Sequence, residues 1–336
     1  MAHVLAVDLG GTKCSAAVVD RRGKIVSRAT LPVDVISSSG PVLQIVQFAN
    51  DLAGGKRPEE AYAAAAVAVP GLVRRNGTVW APNLPGWEKM PLAKRLTRSL
   101  RIPVRVESDR NAAVLGETWL GAARGKSDAI VLMIGTGIGA GILCGGEVLR
   151  GAHELSGCAG WLTVTREEIP VAGVRGELES LVAGPAIAQA AQRALKEGQA
   201  SDLARLDESK ITAHDVAAAA RHGDRLAIDI FNRAGRLLGF AVANLVSLLD
   251  PDIIVVGGGM AAVADLYLRP LRTAMFERAQ PLAAKKVRVV VSEMADTVNL
   301  IGCARLAWEA DKSAHHLAPE MRRSSKKHSR TKKEKK

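Results

Sequence analysis

The chain is 336 residues long, 48% hydrophobic and 24% charged, the composition of an ordinary soluble globular protein with room for two buried cores. Its longest apolar run, Leu237 to Leu249, is too short to span a bilayer and ends at Asp250-Pro251, and its N-terminus lacks the basic segment of a signal peptide. Neither membrane insertion nor export is expected, and a cytoplasmic protein is. The net charge of +12 is concentrated at the end, where residues 322–336 hold nine Lys/Arg against Glu334 alone and account for +8, leaving +4 for the body. Residues 314–336 read as a disordered, solvating tail, with loose, salt-sensitive contact to polyanions as the alternative role for its cations. The four cysteines, Cys14, Cys144, Cys158 and Cys303, form no CxxC pair and read as buried reduced thiols. The seven histidines show no metal-binding spacing, so any metal is expected to arrive with a nucleotide.

In chain order, Val4 to Val7, Ser15 to Val19 and Lys24 to Leu31 read as three strands of an antiparallel meander, turned at Gly10-Gly11 and at Asp20 to Gly23. A helix from Pro41 to Leu52 follows, then a strand from Ala64 to Val69 stopped by Pro70-Gly71, a loop from Asn76 to Trp87, a helix from Pro91 to Leu100 and a strand from Val104 to Glu107. The run Ala112 to Ala123 is helical, and Ala129 to Ile134 is a strand. Beyond it come a strand pair around Gly135 to Val148, an irregular loop from Gly151 to Gly176, and alanine-rich helices over Glu179 to Leu195 and Ala213 to Leu249. Strands at Asp252 to Val256 and Val287 to Ser292 and a closing helix from Asn299 to Glu309 complete the pattern. A meander followed by helix-linked strands occurs twice, which predicts two similar α/β lobes with a ligand cleft between them.

Three glycine-rich turns, each fed by an apolar strand, are the chemical signal: Asp8 to Lys13 with Gly10, Gly11 and Thr12, then Gly135-Thr136-Gly137-Ile138-Gly139, then Gly257-Gly258-Gly259. Glycine lets backbone N–H groups approach phosphate oxygens that a Cβ would hold away, and the threonines and Asp8 add hydroxyls and a carboxylate for Mg²⁺. The pattern points to one nucleotide met by motifs from both halves.

Together with Glu107 to Glu117, Gly151-Ala152-His153, Val256 to Met260 and Leu300 to Ala307, these turns occur in the order and spacing of ROK proteins, which the chain resembles from about residue 3 to 308. The resemblance implies a two-lobed actin-like ATPase (ribonuclease H-like) fold. It divides the chain into a smaller N-terminal lobe, 1–108, joined by the closing helix 299–311, and a larger C-terminal lobe, 109–298. It also implies a glucokinase-like transfer of phosphate from ATP to a hexose or amino-sugar hydroxyl. On that reading Asp8 holds Mg²⁺ through water, and Gly10, Gly11, Thr12 and Lys13 meet the terminal phosphates. Gly135, Thr136 and Gly137 close the other side, Gly257, Gly258 and Gly259 lie beside the adenosine, and Asp109 is the catalytic base. Where a strand ends and a helix begins, Asp109 is expected to stay ionised, and helix capping is its plain structural role. The helix-turn-helix segment of ROK repressors is not seen ahead of Asp8, so a repressor is not expected. A homodimer is expected by analogy.

The chain departs from the family at its zinc motif, where the resemblance sets Trp161, Pro170, Ala172 and Glu177 at the four ligand places, so no zinc is expected. Cys158 replaces a glutamate and Trp161 a histidine that bind sugar hydroxyls, and Ser108 replaces an asparagine. Each charge-assisted hydrogen bond contributes roughly 1.5–3 kcal/mol, so two losses should lower the use of glucose by on the order of 10²–10⁴-fold. The sugar pocket is expected to comprise Asn83, Ser108, Asp109 and Glu179, with Trp161 either stacking on a pyranose or filling the vacated zinc loop. Glu154 reads as a surface-loop acid. The functional alternative is a non-catalytic sugar or nucleotide sensor derived from such a kinase.

Overall fold

A computed structural model describes residues 2–166 and 175–311, so the positions Pro170 and Ala172 and the basic tail lie outside the described residues. Within them the chain forms two compact units, residues 2–116 with 297–311, and residues 117–296.

In the first unit β1 (His3–Leu9), β2 (Lys13–Val19) and β3 (Ile25–Pro32) form an antiparallel meander, followed by α1 (Gly40–Asp51) and the short α2 (Pro58–Ala61). Strand β4 (Tyr62–Val69) returns parallel to β1. A small ribbon of β5 (Leu72–Val73) and β6 (Val79–Trp80) and helix α3 (Leu92–Leu100) lead to β7 (Val104–Ser108), parallel to β4, and α4 (Asp109–Trp119) leaves its end. The sheet order is β3-β2-β1-β4-β7. Period-two alternation divides its faces: Leu5, Val7, Leu9, Val67 and Val69 pack on Ile45, Phe48, Leu92 and Leu96. The other face sets small residues against a carboxylate row, with Ala6 beside Ala66 and Asp8, Ala68 and Glu107 in register across three strands.

A helix at 298–311 closes this unit. A Cβ on Gly302 would overlap the Ala112 carbonyl oxygen, and one on Gly116 the Val298 carbonyl oxygen, so this helix and α4 touch backbone to backbone. That contact ties the first turns of α4 to the N-terminal unit, and the division falls after Gly116 rather than after Ser108.

The second unit repeats the plan. Strands β8 (Ala129–Ile134), β9 (Ile138–Cys144) and β10 (Glu147–Val148) form a meander, and helices α5 (Glu177–Val182), α6 (Gly184–Lys196), α7 (Ala213–Arg221) and α8 (Arg225–Leu249) precede β11 (Ile253–Gly257). Helices α9 (Ala264–Arg278) and α10 (Pro281–Lys286) then carry the chain to β12 (Arg288–Val291), parallel to β11. The order β10-β9-β8-β11-β12 matches that of the first sheet. Helices α8 and α9 approach through Gly235 and Gly239, whose added Cβ atoms would stand 2.5 Å from the carbonyl oxygens of Tyr267 and Leu271.

Several expected elements are corrected. The helical run from Glu179 breaks at Ala183, because Pro185 cannot continue an α-helical ladder and the Gly184 N–H instead reaches the Gly135 carbonyl at 2.9 Å. The run Ala213 to Leu249 breaks at Gly223, with φ of 90°, and Asp224 restarts it by accepting the Ala227 N–H at 2.9 Å. Helix α4 begins at Asp109, three residues before the expected start, and ends at Trp119 rather than at Ala123. Helix α9, which the parallel pairing of β11 with β12 requires, was not expected. Cys144 is exposed and Cys158 partly so, leaving only Cys14 and Cys303 as buried thiols.

Gly302→Ala is expected to destabilise the protein by about 3 kcal/mol, since the rigid Ala112 carbonyl must move. The check is thermal melting, where a melting temperature equal to wild type would show that the helices do not meet at that point.

Candidate active site

In the N-terminal unit the first glycine turn closes with the Gly10 N–H donating to the Lys13 carbonyl at 2.9 Å. An added Cβ on Gly10 would press on that oxygen at 3.0 Å, whereas Gly11 faces open space, and Gly11, Thr12 and Lys13 are exposed. The turn thus offers backbone N–H groups without side-chain cover. Asp8, one residue inside β1, accepts a hydrogen bond from Asn299 Nδ2 at 3.2 Å. Asp109 sits at the end of β7, and its Oδ1 accepts the Arg110 N–H at 2.8 Å.

The two carboxylates lie near enough to act on each other. Burial pushes the Asp8 carboxyl up to about 6, aided by the like charge of Asp109 and opposed by the Asn299 hydrogen bond. Burial also raises Asp109, so its carboxyl holds a proton more readily than an ordinary carboxylate. The Arg110 N–H and guanidinium favour the charged form, but they do not offset the loss of water.

Around this pair, Ser108 Oγ, Asn111 Oδ1 and Asn299 Oδ1 are buried without a hydrogen-bond partner. Ser108 is 2% exposed, so its hydroxyl has no bulk water to turn to. Buried polar atoms left open in a native fold mark a place for ordered water or a ligand hydroxyl. Neighbouring groups are satisfied internally: Glu107 Oε1 accepts from the Ser108 N–H and from Asn111 Nδ2, both at 2.9 Å. Asn83 is exposed on a tight turn pinned by buried Leu84 and Trp87, whose indole N–H donates to the Ser38 carbonyl at 2.9 Å. No hydrogen bond joins Asn83 to the Asp8 and Asp109 group among the described residues.

In the C-terminal unit the second and third glycine turns and the start of α6 come together. Gly135, Thr136, Gly184, Pro185, Gly259 and Met260 line a cavity of about 330 Å³, with the start of α7 beside them. An added Cβ on Gly135 would come no nearer than 3.9 Å to the Gly259 N–H, and Gly259 faces open space. Gly258, with φ of 80°, packs where a Cβ would stand 2.5 Å from the Ile134 carbonyl, and Gly257 lies against Met133. Of the third glycine run, Gly259 alone lines the cavity, while Gly257 and Gly258 admit the turn. Gly137 packs on Glu179, whose Oε2 accepts the Ile138 N–H at 2.8 Å, so Glu179 anchors the second turn.

The altered zinc frame is held by hydrogen bonds. Glu177, at one of the four ligand places, accepts the Val164 and Thr165 N–H groups at 2.6 and 2.9 Å. Trp161 is 58% exposed at the end of the turn Ala159–Trp161, and residues 167–174 of the vacated loop lie outside the described residues. The anchoring parts of Glu177 and Glu179 and the break before α6 were not legible in the sequence; the Gly184-Pro185 pair was the available sign of the break.

The duplicated five-stranded plan, with glycine turns leaving the strand ends, defines the actin-like ATPase fold. The ROK family model matches residues 4–310, and the chain belongs to that family. It is similar to a glucokinase of Thermotoga maritima, 32% identical over 91% of this chain and 97% of that protein. It is also similar to a putative xylose repressor of Caldicellulosiruptor, 28% identical over 90% of this chain and 77% of the repressor. Among solved structures, a ROK family glucokinase from Streptomyces griseus in complex with glucose and AMPPNP is 29% identical, with 91% of this chain and 99% of that one covered and a TM-score of 0.72. No helix among the described residues is long and apolar enough to cross a membrane.

The raised Asp8 carboxyl predicts a pH signature. Between about pH 4 and pH 6 the folded protein holds a proton that the unfolded chain has released, so Asp8 lowers stability as pH rises through that window. The urea midpoint of Asp8→Asn is expected to match wild type near the lower limit and to exceed it at about pH 7. Equal midpoints at both pH values would show that Asp8 is not desolvated.

Proposed function

We propose that this chain is an ATP-dependent sugar kinase in which Asp109 takes the proton of the attacking sugar hydroxyl. The observation that carries the reading is the desolvated Asp8 and Asp109 pair beside an uncovered glycine turn, with unpartnered buried polar atoms around it. The glucokinase relatives support it.

MgATP, when bound, supplies the terminal phosphoryl group and the charge that offsets its oxygens. The open cavity at Gly135, Thr136, Gly184 and Gly259 fits the nucleoside side, since no Cβ intrudes on it. The exposed turn Gly10, Gly11, Thr12 and Lys13 offers N–H groups and one cation to phosphate oxygens. Asp8 fits an outer-sphere Mg²⁺ ligand: a magnesium ion carried by phosphates keeps most of its waters and needs one or two carboxylates. Its proximity also favours the ionised form of a carboxyl that burial penalises.

Asp109 at the first turn of α4 is placed to orient a hydroxyl, and a raised pKa makes it a better proton acceptor than an ordinary carboxylate. Ser108 Oγ and Asn83 are the polar partners proposed for the sugar in the first unit. Glu179 and Trp161, the other residues expected at the sugar, belong to the second unit, where Trp161 is exposed. A hexose or amino sugar is the proposed class, with glucose disfavoured by the residues at 108, 158 and 161. A homodimer, a cytoplasmic location and independence of zinc belong to the same proposal.

Asp109→Asn keeps the acceptor atom for the Arg110 N–H but removes the base. With MgATP and a panel of hexoses, amino sugars and polyols, its ADP release is expected to fall by about 10²–10⁴-fold while ATP affinity stays nearly unchanged. Turnover within about threefold of wild type would remove Asp109 from the mechanism. Absence of sugar-dependent ADP release in the wild type would favour the non-catalytic sensor.

A further inference from the structure

A second cavity, of about 730 Å³, lies in the C-terminal unit between the loop Thr163 to Arg166, one flank of α8 and the end of α9. It shares no lining residue with the cavity at Thr136 and Gly259. Arg233, Leu237, Phe240 and Asn244 enter it from α8 at spacings of four, three and four residues, a single helix stripe. Among the described residues its charge is one-sided: Arg166, Arg233 and Arg278 line it, and no described Asp or Glu does. Among the described residues, none of these three arginines is held in an ion pair.

Stacking fixes part of this array. Arg278 lies over the Phe240 ring at 5.3 Å from its centroid, and Arg236 over the same ring at 5.8 Å, which leaves fewer orientations for the Arg278 guanidinium. Like charges gathered around one cavity, with no counter-charge among its described lining residues, repel, and a bound anion relieves that repulsion. A carboxylate needs one guanidinium fork, whereas three forks suit the several oxygens and double charge of a phosphate. Leu237 and Val164 supply an apolar floor that inorganic phosphate alone would leave uncovered.

We propose that this cavity binds a phosphate-bearing small molecule, its phosphate on Arg166, Arg233 and Arg278 and its organic part over Leu237 and Val164. The site is separate from the one assigned to catalysis and does not rest on that assignment.

The test is calorimetric titration of the full chain with a hexose 6-phosphate, with inorganic phosphate and with the unphosphorylated hexose, each in the presence of saturating AMPPNP. The hexose phosphate is expected to bind saturably, inorganic phosphate more weakly, and binding should fall as salt rises. Arg233→Ala and Arg278→Ala are each expected to weaken it by about tenfold or more, with Arg233→Lys retaining part of the affinity. Asn244→Asp, an exposed change that adds a negative charge, should act in the same direction without touching an arginine. Binding of inorganic phosphate alone would assign the source to free phosphate and keep the site. Three results would overturn the proposal: no saturable binding of either phosphate probe, affinity unchanged in all the variants, or loss of binding to AMPPNP or to the unphosphorylated hexose by displacement.

Discussion

Backbone contact between the closing helix and α4 sets the geometry of the N-terminal unit. Gly302 against the Ala112 carbonyl and Gly116 against the Val298 carbonyl bring two helices closer than side chains would allow. The sheet face beneath answers with Ala6, Ala66 and Ala68, small enough to receive them. Three consequences follow from that approach: Asn299 reaches Asp8, the Cys303 thiol donates to the Val7 carbonyl at 3.3 Å, and α4 starts directly at the end of β7. Asp8 and Asp109 then sit half-buried, and desolvation, rather than a special partner, perturbs their acidity. On the proposed mechanism, a carboxylate that accepts a proton gains from that setting, and one that sits beside a cation is charged by the cation itself.

The C-terminal unit reaches its site by other means. Its turns are tied to helix starts: the Gly184 N–H to the Gly135 carbonyl, Glu179 to the Ile138 N–H, and Glu177 to the Val164 and Thr165 N–H groups. At the Glu177 position a carboxylate accepting two backbone donors joins α5 to the loop at Val164 and Thr165. Each such charge-assisted bond contributes roughly 1.5–3 kcal/mol, enough to fix local geometry on its own.

Much of this was legible in the sequence because the relevant signals are local. Glycine turns after apolar runs, alternation in the strands and the acid at the end of β7 each depend on a few neighbouring residues, and the twice-repeated meander followed by helix-linked strands followed from them. What was not legible depends on partners distant in sequence. The helix position of Asp109 favours its charged form, and burial by surrounding elements, which acts the other way and raises its pKa, was not visible in the sequence. Trp161 offered two readings, and its exposure depends on how the turn Ala159–Trp161 sits among residues distant in sequence. The breaks at Ala183 and Gly223 were concealed by alanine-rich runs whose helical propensity is high on either side of the interruption.

The central claim is that the Asp8 and Asp109 carboxylates serve phosphoryl transfer to a sugar hydroxyl. Phosphorus NMR of a mixture of the protein, MgATP and the candidate sugars follows the terminal phosphate directly. The mechanism predicts a new phosphate-ester resonance that grows in step with ADP for at least one hexose or amino sugar. Intact ATP, or ADP accompanied by inorganic phosphate alone, across the whole panel would contradict it.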